Sequence, residues 1–267
     1  MQHVLITGGS SGIGLELARQ SVSTGASVSL LARGPEKLAN AADKLKPLAE
    51  LHGGKISTYA VDVRDRQACE HACQMASETL GVPDLAILNA GQARAGYFED
   101  LTAEVFENMM TVNYFGALWC ARALVPAMTA RGSGHLSFVS SGAALIGLFG
   151  YTAYAPSKFA VRGLAEALRG ELKPKGVDVS VVYPPDTDTP QLAEENLTKP
   201  AETKAITASG GTMQADAVAR AILKGIARQQ FTIAPGLEMK ALNRLHSLIA
   251  PGLRWYFDRL SKTVHPQ

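Results

Sequence analysis

Tyr154 and Lys158 stand four residues apart at the head of a helix-like stretch, so their side chains share one face. A tyrosine near its reference pKa of about 10 is a poor proton donor and acceptor at neutral pH. An ammonium beside it favours the phenolate, lowers that pKa and makes the hydroxyl a workable general acid or base. Tyr151 lies three residues earlier, but only Tyr154 has a lysine at its i+4 position. Thirteen residues before Tyr154, Ser140 and Ser141 close an apolar run. A serine hydroxyl there can hydrogen-bond a carbonyl oxygen beside the tyrosine. The chemistry in view is proton delivery to, or removal from, an oxygen at a reacting carbon. A tyrosine and a lysine at this spacing also occur by chance in ordinary helices, so the pair gains meaning from its surroundings.

Those surroundings begin with Thr7-Gly8-Gly9-Ser10-Ser11-Gly12-Ile13-Gly14, between a first apolar run and a first helical pattern. Gly8, Gly12 and Gly14 allow a tight turn, close approach of backbone to a pyrophosphate, and close packing of helix on strand. The helix start adds unpaired N–H groups and the positive end of its dipole. Glycines serve ordinary turns too, but the position between strand and helix points to a dinucleotide. Nineteen residues past Gly14, the second apolar run ends at Leu31-Ala32-Arg33. An acid there would bond a ribose 2′-hydroxyl, whereas an arginine pairs with a 2′-phosphate. No Asp or Glu occupies Val28–Arg33, which favours NADP(H) over NAD(H). Asp62-Val63, after the third run, is placed to bond the adenine amino group. Asn89-Ala90-Gly91, after the fourth, brings small residues and backbone near the cofactor.

The elements that must hold these residues are legible as alternation. Val4–Ile6, Val28–Leu31, Ser57–Val61, Leu85–Leu88, Leu136–Val139 and Val177–Val182 are short apolar runs without polar alternation, as strands covered on both faces require. Amphipathic stretches separate them: Gly14–Ser23, Pro35–Glu50, Gln67–Leu80, Ala103–Ala130 and Ser157–Leu172. A seventh strand is expected near Phe231–Ala234, after a helix over Ala215–Arg228. This pattern predicts an α/β fold: a doubly wound parallel sheet of about seven strands with helices on both faces. With no linker, repeat or low-complexity segment, the 267 residues read as a single domain.

Composition removes other classes. Hydrophobic residues make up 46% and charged residues 19%, which argues for a large core and against disorder. A formal charge of +2 without a basic block gives no reason to expect a nucleic-acid partner. Cys69, Cys73 and Cys120 cannot all pair with one another, so they read as structural, and no cluster has zinc-ligand spacing. The N-terminus runs straight into Val4-Leu5-Ile6 without a basic region, so a signal peptide is not expected and a cytoplasmic location is.

Taken together, these motifs resemble the short-chain dehydrogenase/reductase family over nearly the whole chain. The resemblance rests on the Thr7–Gly14 loop, Asp62, Asn89-Ala90-Gly91, Asn113, Ser141, Tyr154, Lys158 and Thr189. It implies a Rossmann-type fold and a four-residue catalytic set. Tyr154 would protonate a carbonyl oxygen while hydride reaches the carbon, and Lys158 would hold the nicotinamide ribose and lower the tyrosine pKa. Ser141 would orient the carbonyl and Asn113 would position a water in a proton relay. NADPH/NADP+ would be held by Gly8, Ser10, Ser11, Gly12, Ile13, Gly14, Arg33, Asp62, Val63, Asn89, Ala90, Gly91, Tyr154, Lys158, Pro184, Thr187 and Thr189. The resemblance also implies a homodimer or homotetramer, through the long helices Ala103–Ala130 and Ser157–Leu172. One departure stands out: where the family has Pro-Gly after the sixth strand, this chain has Pro184-Pro185. The second proline stiffens the turn and removes an N–H.

The Pro184–Pro190 segment, with Glu194–Pro200 and Glu202-Thr203, is similar to 3-ketodihydrosphingosine reductases within that family. The similarity implies NADPH-dependent reduction of the 3-keto group of a long-chain sphingoid base, with a substrate lobe at about residues 186–211. Asp186, Asp188, Glu194 and Glu195 are candidates to meet a substrate ammonium, against the simpler reading of a solvated acidic loop. The alternatives are a reductase of another lipid, steroid or retinoid carbonyl and, in a different class, a non-catalytic NADP(H)-sensing protein. The intact Ser141, Tyr154, Lys158 and Asn113 argue against the sensor. At residues 238–262 apolar positions recur at helical spacing on both sides of Pro251-Gly252, which is expected to break the helix. Lys240, Arg244, Arg254, Arg259 and Lys262 outnumber Glu238 and Asp258 there. Such a segment fits a peripheral membrane contact, a cap over an acyl tunnel, or packing on another surface.

Overall fold

The computed structural model of this protein describes residues 2–208 and 211–264. Ser209 and Gly210, inside the expected substrate lobe, lie outside the described residues. The chain runs β1 (His3–Thr7), α1 (Gly12–Val22), β2 (Ser27–Ala32), α2 (Pro35–His52), β3 (Ile56–Ala60), α3 (Arg66–Leu80) and β4 (Leu85–Leu88). It continues through α4 (Ala103–Met109), α5 (Gly116–Arg131), β5 (Gly134–Val139), α6 (Tyr154–Leu172) and β6 (Val177–Val182). The rest is β7 (Thr187–Asp188), α7 (Pro190–Asn196), α8 (Ala201–Ala208), β8 (Met213–Gln214), α9 (Ala215–Ala227), β9 (Thr232–Ile233) and α10 (Leu237–Val264).

Seven strands form one parallel sheet in the order β3-β2-β1-β4-β5-β6-β9, while β7 and β8 pair separately. Strands β1 and β4 are buried along their whole length, which explains why their sequences carry no polar alternation. One face of the sheet is covered by α1, α2 and α9 through Leu17, Leu38, Leu45, Val218 and Ile222. The other is covered by α3, α5 and α6 through Cys69, Cys73, Cys120, Leu124, Val161 and Ala165. All three cysteines are free and buried. Hydrogen bonding with the Cys69 and Cys73 thiols and burial push the Cys120 thiol up, so these residues serve as small apolar core groups. Because the strand order reverses between β1 and β4, a crevice opens at their carboxyl ends, where doubly wound sheets bind ligands.

Beyond shifts of one or two residues at element ends, three features of the helices differ from the sequence pattern. The stretch expected as one helix over Ala103–Ala130 is α4 and α5 joined by a π-helical turn, Met110–Phe115. Helix α6 begins at Tyr154, as the placing of Tyr154 and Lys158 on one helix face requires, three residues before the amphipathic stretch Ser157–Leu172. The third correction is at Pro251-Gly252, where α10 continues without a break. Both residues are exposed, so water can satisfy the carbonyl that proline leaves without its helical partner. No described helix is long and apolar enough to cross a membrane.

Candidate active site

The crevice is a cleft of about 1260 Å³. Its floor is the loop between β1 and α1. Gly8 and Gly12 take positive φ values of 68° and 54°, which side chains disfavour. Ser11 caps α1 without a side-chain bond, so the first-turn N–H groups stay available to an anion. Thr7 Oγ1 ties the loop to β4 by accepting from the backbone N–H groups of Asn89 (3.0 Å) and Ala90 (2.9 Å). Gly8, Ser10, Ser11, Gly12 and Ile13 line the cleft, together with Asn89, Ala90 and Gly91. Gly14 does not. It lies under the loop, where a Cβ would collide with the Gly8 carbonyl and approach Asn89 Nδ2 to 2.8 Å. Its part is the close packing of helix on loop. Thr189 reaches across to Gly12, so Pro184, Thr187 and Thr189 wall the same cleft from the other side.

At the adenosine end Arg33, Lys37, Asp62, Val63 and Arg64 line the cleft. Arg64 holds Asp62 by ion pairing at 2.6 Å, and that hydrogen bond depresses the carboxyl's pKa. Arg33 stays beside the cleft with its guanidinium 3.0 Å from the Gln92 side-chain amide. Lys37 and Arg64 escaped the sequence reading, although both follow a singled-out residue closely in sequence. These cations form a cradle that fits the 2′-phosphate of NADP(H).

At the other end, Tyr154 opens α6 and is buried. Burial raises its pKa most, a hydrogen bond with Ser141 opposes that rise, and the charges of Glu195 and Asp186 add to it. The lowering expected from Lys158 does not appear: Lys158 is not among the groups that shift Tyr154, and the net direction is upward. The physical reason is visible in Lys158: its Nζ donates to the Val139 carbonyl oxygen at 3.1 Å and stands 5.8 Å from the Tyr154 ring centroid. Burial pushes Lys158 itself down to about 8. Ser141 Oγ also accepts from the Ala143 N–H (3.1 Å), which fixes the serine above the sheet edge.

Asn113 sits on the π-helical turn, a local widening frequent at functional sites. It is buried behind the cleft wall and not on its surface. Its Nδ2 donates to Ser157 Oγ (2.8 Å) and the Gln92 carbonyl (3.0 Å), and its Oδ1 accepts from the Gln92 N–H (2.8 Å). A Cβ on Gly91 would lie 3.0 Å from Asn113 Oδ1 and 3.2 Å from Lys158 Nζ, so the two groups converge on that glycine. Ser157 and Gln92 are partners that the sequence motifs did not reveal, because their contacts cross elements.

The substrate side is built by α7, α8 and α10. Ile146, Leu148, Ile206, Met239, Leu242, Leu253, Tyr256 and Phe257 line it. Met239 packs so closely on Gly142 that a Cβ there would come within 2.7 Å of its Cε. Of the four acidic candidates, Asp186, Glu194 and Glu195 line the cleft. Asp188 instead accepts from Gln214 at 3.2 Å and is exposed, because it is spent on the β7–β8 pairing. Tyr151, adjacent to Tyr154, bonds Glu195.

The chain matches the family model described as short chain dehydrogenase over residues 2–200. It is 43% identical over 250 residues to a 3-dehydrosphinganine reductase from Danio rerio, covering 93% of this chain and 75% of that protein. Against a 3-ketodihydrosphingosine reductase from Dictyostelium discoideum the identity is 40% over 272 residues, covering 96% and 80%. Among solved structures, a short-chain dehydrogenase from Sphingobium yanoikuyae in complex with NADPH aligns with a TM-score of 0.80 at 26% identity over 95% of both chains. A short-chain dehydrogenase/reductase from Burkholderia phymatum in complex with NAD shares the fold, with a TM-score of 0.82 at 24% identity over 94% of each chain.

Proposed function

The chain belongs to the short-chain dehydrogenase family, and from that premise we propose that it is an NADPH-dependent reductase of the 3-keto group of a long-chain sphingoid base. The observation that carries this reading is one cleft joining three features: a phosphate cradle with cations at its adenosine end, Tyr154 and Ser141 at its centre, and apolar side chains of α8 and α10 beyond them. The 40–43% identity to reductases of that name supports the substrate.

Bound in the cradle, NADPH supplies the hydride. The chain's own residues manage position and proton. Ser141 orients the carbonyl oxygen and Tyr154 protonates it. Lys158, anchored on Val139, holds the nicotinamide ribose and places a positive charge beside the phenol once the proton has left. Asn113 keeps the Gln92 backbone and Ser157 in place behind Lys158, the position from which a relay water would be ordered.

Helix α10 gives the reading a membrane side. Met239, Leu242 and Leu253 turn toward the cleft, while Leu237, Leu248 and Trp255 are exposed among Lys240, Arg244 and Lys262. Helical spacing places those two sets on opposite faces. A basic face with an exposed tryptophan suits the interface of a membrane carrying anionic lipid, and the protein then works as a peripheral cytoplasmic enzyme. Exposed Phe115 and Phe159, on the long helical segments, support the homodimer or homotetramer that the family suggests.

The test is NADPH consumption with 3-ketodihydrosphingosine in detergent micelles, with the product identified and NADH run alongside. Turnover to dihydrosphingosine with NADPH is expected. Tight NADPH binding without turnover would overturn the substrate and direct the search to other lipid, steroid or retinoid carbonyls.

A further inference from the structure

The cleft is electrically polarised along its length. Arg33, Lys37 and Arg64, with Asp62 paired to Arg64, leave the adenosine end net positive, whereas Asp186, Glu194, Glu195 and Glu238 line the end formed by α7 and α10. Within the second group, Glu195 is only 8% exposed and accepts a hydrogen bond from the Tyr151 hydroxyl. Lys199, its side chain 2% exposed, pairs with Glu195 at 3.0 Å and with Asp186 at 3.1 Å. Among the described ion pairs, Lys199 is the one cation bound to either carboxylate. Two carboxylates thus share one ammonium, Glu195 buried and Asp186 about one-third exposed, and one negative charge is left in excess at the cleft wall. Beside the buried Glu195, where solvent screens little, that excess attracts a cation entering the cleft.

The wall stands beside the reacting centre. The Tyr151 and Tyr154 rings are 5.5 Å apart, and the charges of Glu195 and Asp186 are felt at the Tyr154 hydroxyl. A sphingoid 3-ketone carries its ammonium on the carbon next to the carbonyl. When Tyr154 and Ser141 hold the oxygen, that cation falls among the neighbours of Tyr154. Resting on the substrate reading above, we infer that Glu195, held by Tyr151 and Lys199 and backed by Asp186, receives this ammonium and selects 2-aminoketones over plain ketones. Lys199 fixes the carboxylate's place, and the excess charge provides the attraction. The same cation would offset the carboxylates that make Tyr154 hold its proton more tightly. The preference therefore enters kcat as well as KM.

The experiment compares 3-ketodihydrosphingosine with its deamino analogue, the same long-chain ketone with hydrogen in place of the amine, in wild type, Glu195→Gln and Asp186→Asn. The readout is the ratio of kcat/KM for the two ketones, so a general loss of folding or catalysis divides out. Wild type is expected to prefer the amine by about ten- to a hundredfold, the range of a charge-assisted hydrogen bond in a buried site. Glu195→Gln should remove most of that preference. Asp186→Asn, at a more exposed position, should remove part of it. Equal use of both ketones by wild type, or an unchanged ratio in both variants, would overturn the inference while leaving the reductase reading intact. Failure of wild type to reduce either ketone would overturn the sphingoid substrate reading, and this inference with it.

Discussion

Replacing Lys158 with methionine should make the cofactor-free protein more stable while abolishing its activity. Lys158 is 4% exposed, and burial holds its pKa at about 8 against an ordinary 10.5. At pH 7 both folded and unfolded chains carry the proton, so the folded state bears the full cost of the buried charge. That gap is worth about 3 kcal/mol. Methionine has a similar shape and removes the charge, but leaves the Val139 carbonyl without its 3.1 Å donor, at a cost of about 1 kcal/mol. The net expectation is a gain of about 2 kcal/mol in denaturant unfolding at pH 7. The sign reverses with pH in a defined window. As pH rises from about 8 to 10.5 the folded lysine gives up its proton while the unfolded one keeps it, so wild-type stability climbs and the variant's advantage shrinks. A Lys158→Met protein less stable than wild type at pH 7, or an advantage that does not shrink through that window, would refute the reasoning.

Arg33→Ala should lower kcat/KM with NADPH by about ten- to a hundredfold and change it with NADH by less than about threefold, because the lost contact belongs to the 2′-phosphate. Equal losses with both cofactors would place Arg33 in folding instead. Gly14→Ala should weaken NADPH binding and destabilise the fold by about 1–3 kcal/mol, since the methyl meets the Gly8 carbonyl and Asn89. Gly170→Ala, on α6 with open space around it, should instead stabilise by about 0.5–1 kcal/mol, and paired thermal unfolding curves separate the two. Trp255→Ala combined with Leu248→Ala should abolish co-sedimentation with vesicles containing anionic lipid while NADPH binding persists.

How far the sequence reached depended on whether a feature was local. The inner strands were legible because residues such as Val4–Ile6 and Leu85–Leu88 are apolar on both sides of the chain, as a covered parallel sheet demands, whereas β3, expected to be covered on both faces, is a partly exposed edge strand. The glycine loop, Arg33, Ser141, Tyr154 and Lys158 were legible because each sits at a fixed offset from such a strand. The π-helical turn at Met110–Phe115 was not, since one extra residue in a turn barely disturbs a 3.6-residue pattern. Pro251 misled for a different reason: a proline costs one helical bond, and an exposed site lets water make up the loss. The Tyr151–Glu195–Lys199–Asp186 network joins α7 to the residues before α6, over 44 positions between Tyr151 and Glu195, and no local pattern encodes such a meeting. Asn113 and Gly14 were found as motif residues, yet both prove to lie behind the cleft wall and act by holding other groups.

The most direct test of the central claim is single-turnover reduction of 3-ketodihydrosphingosine by NADPH in wild type and Tyr154→Phe, with NADPH affinity measured on both. Loss of the hydroxyl should slow reduction by at least about a hundredfold, the contribution of a positioned proton donor, while NADPH binding stays within about twofold of wild type. A Tyr154→Phe protein that reduces the ketone at the wild-type rate would contradict the assignment of Tyr154 as the proton donor.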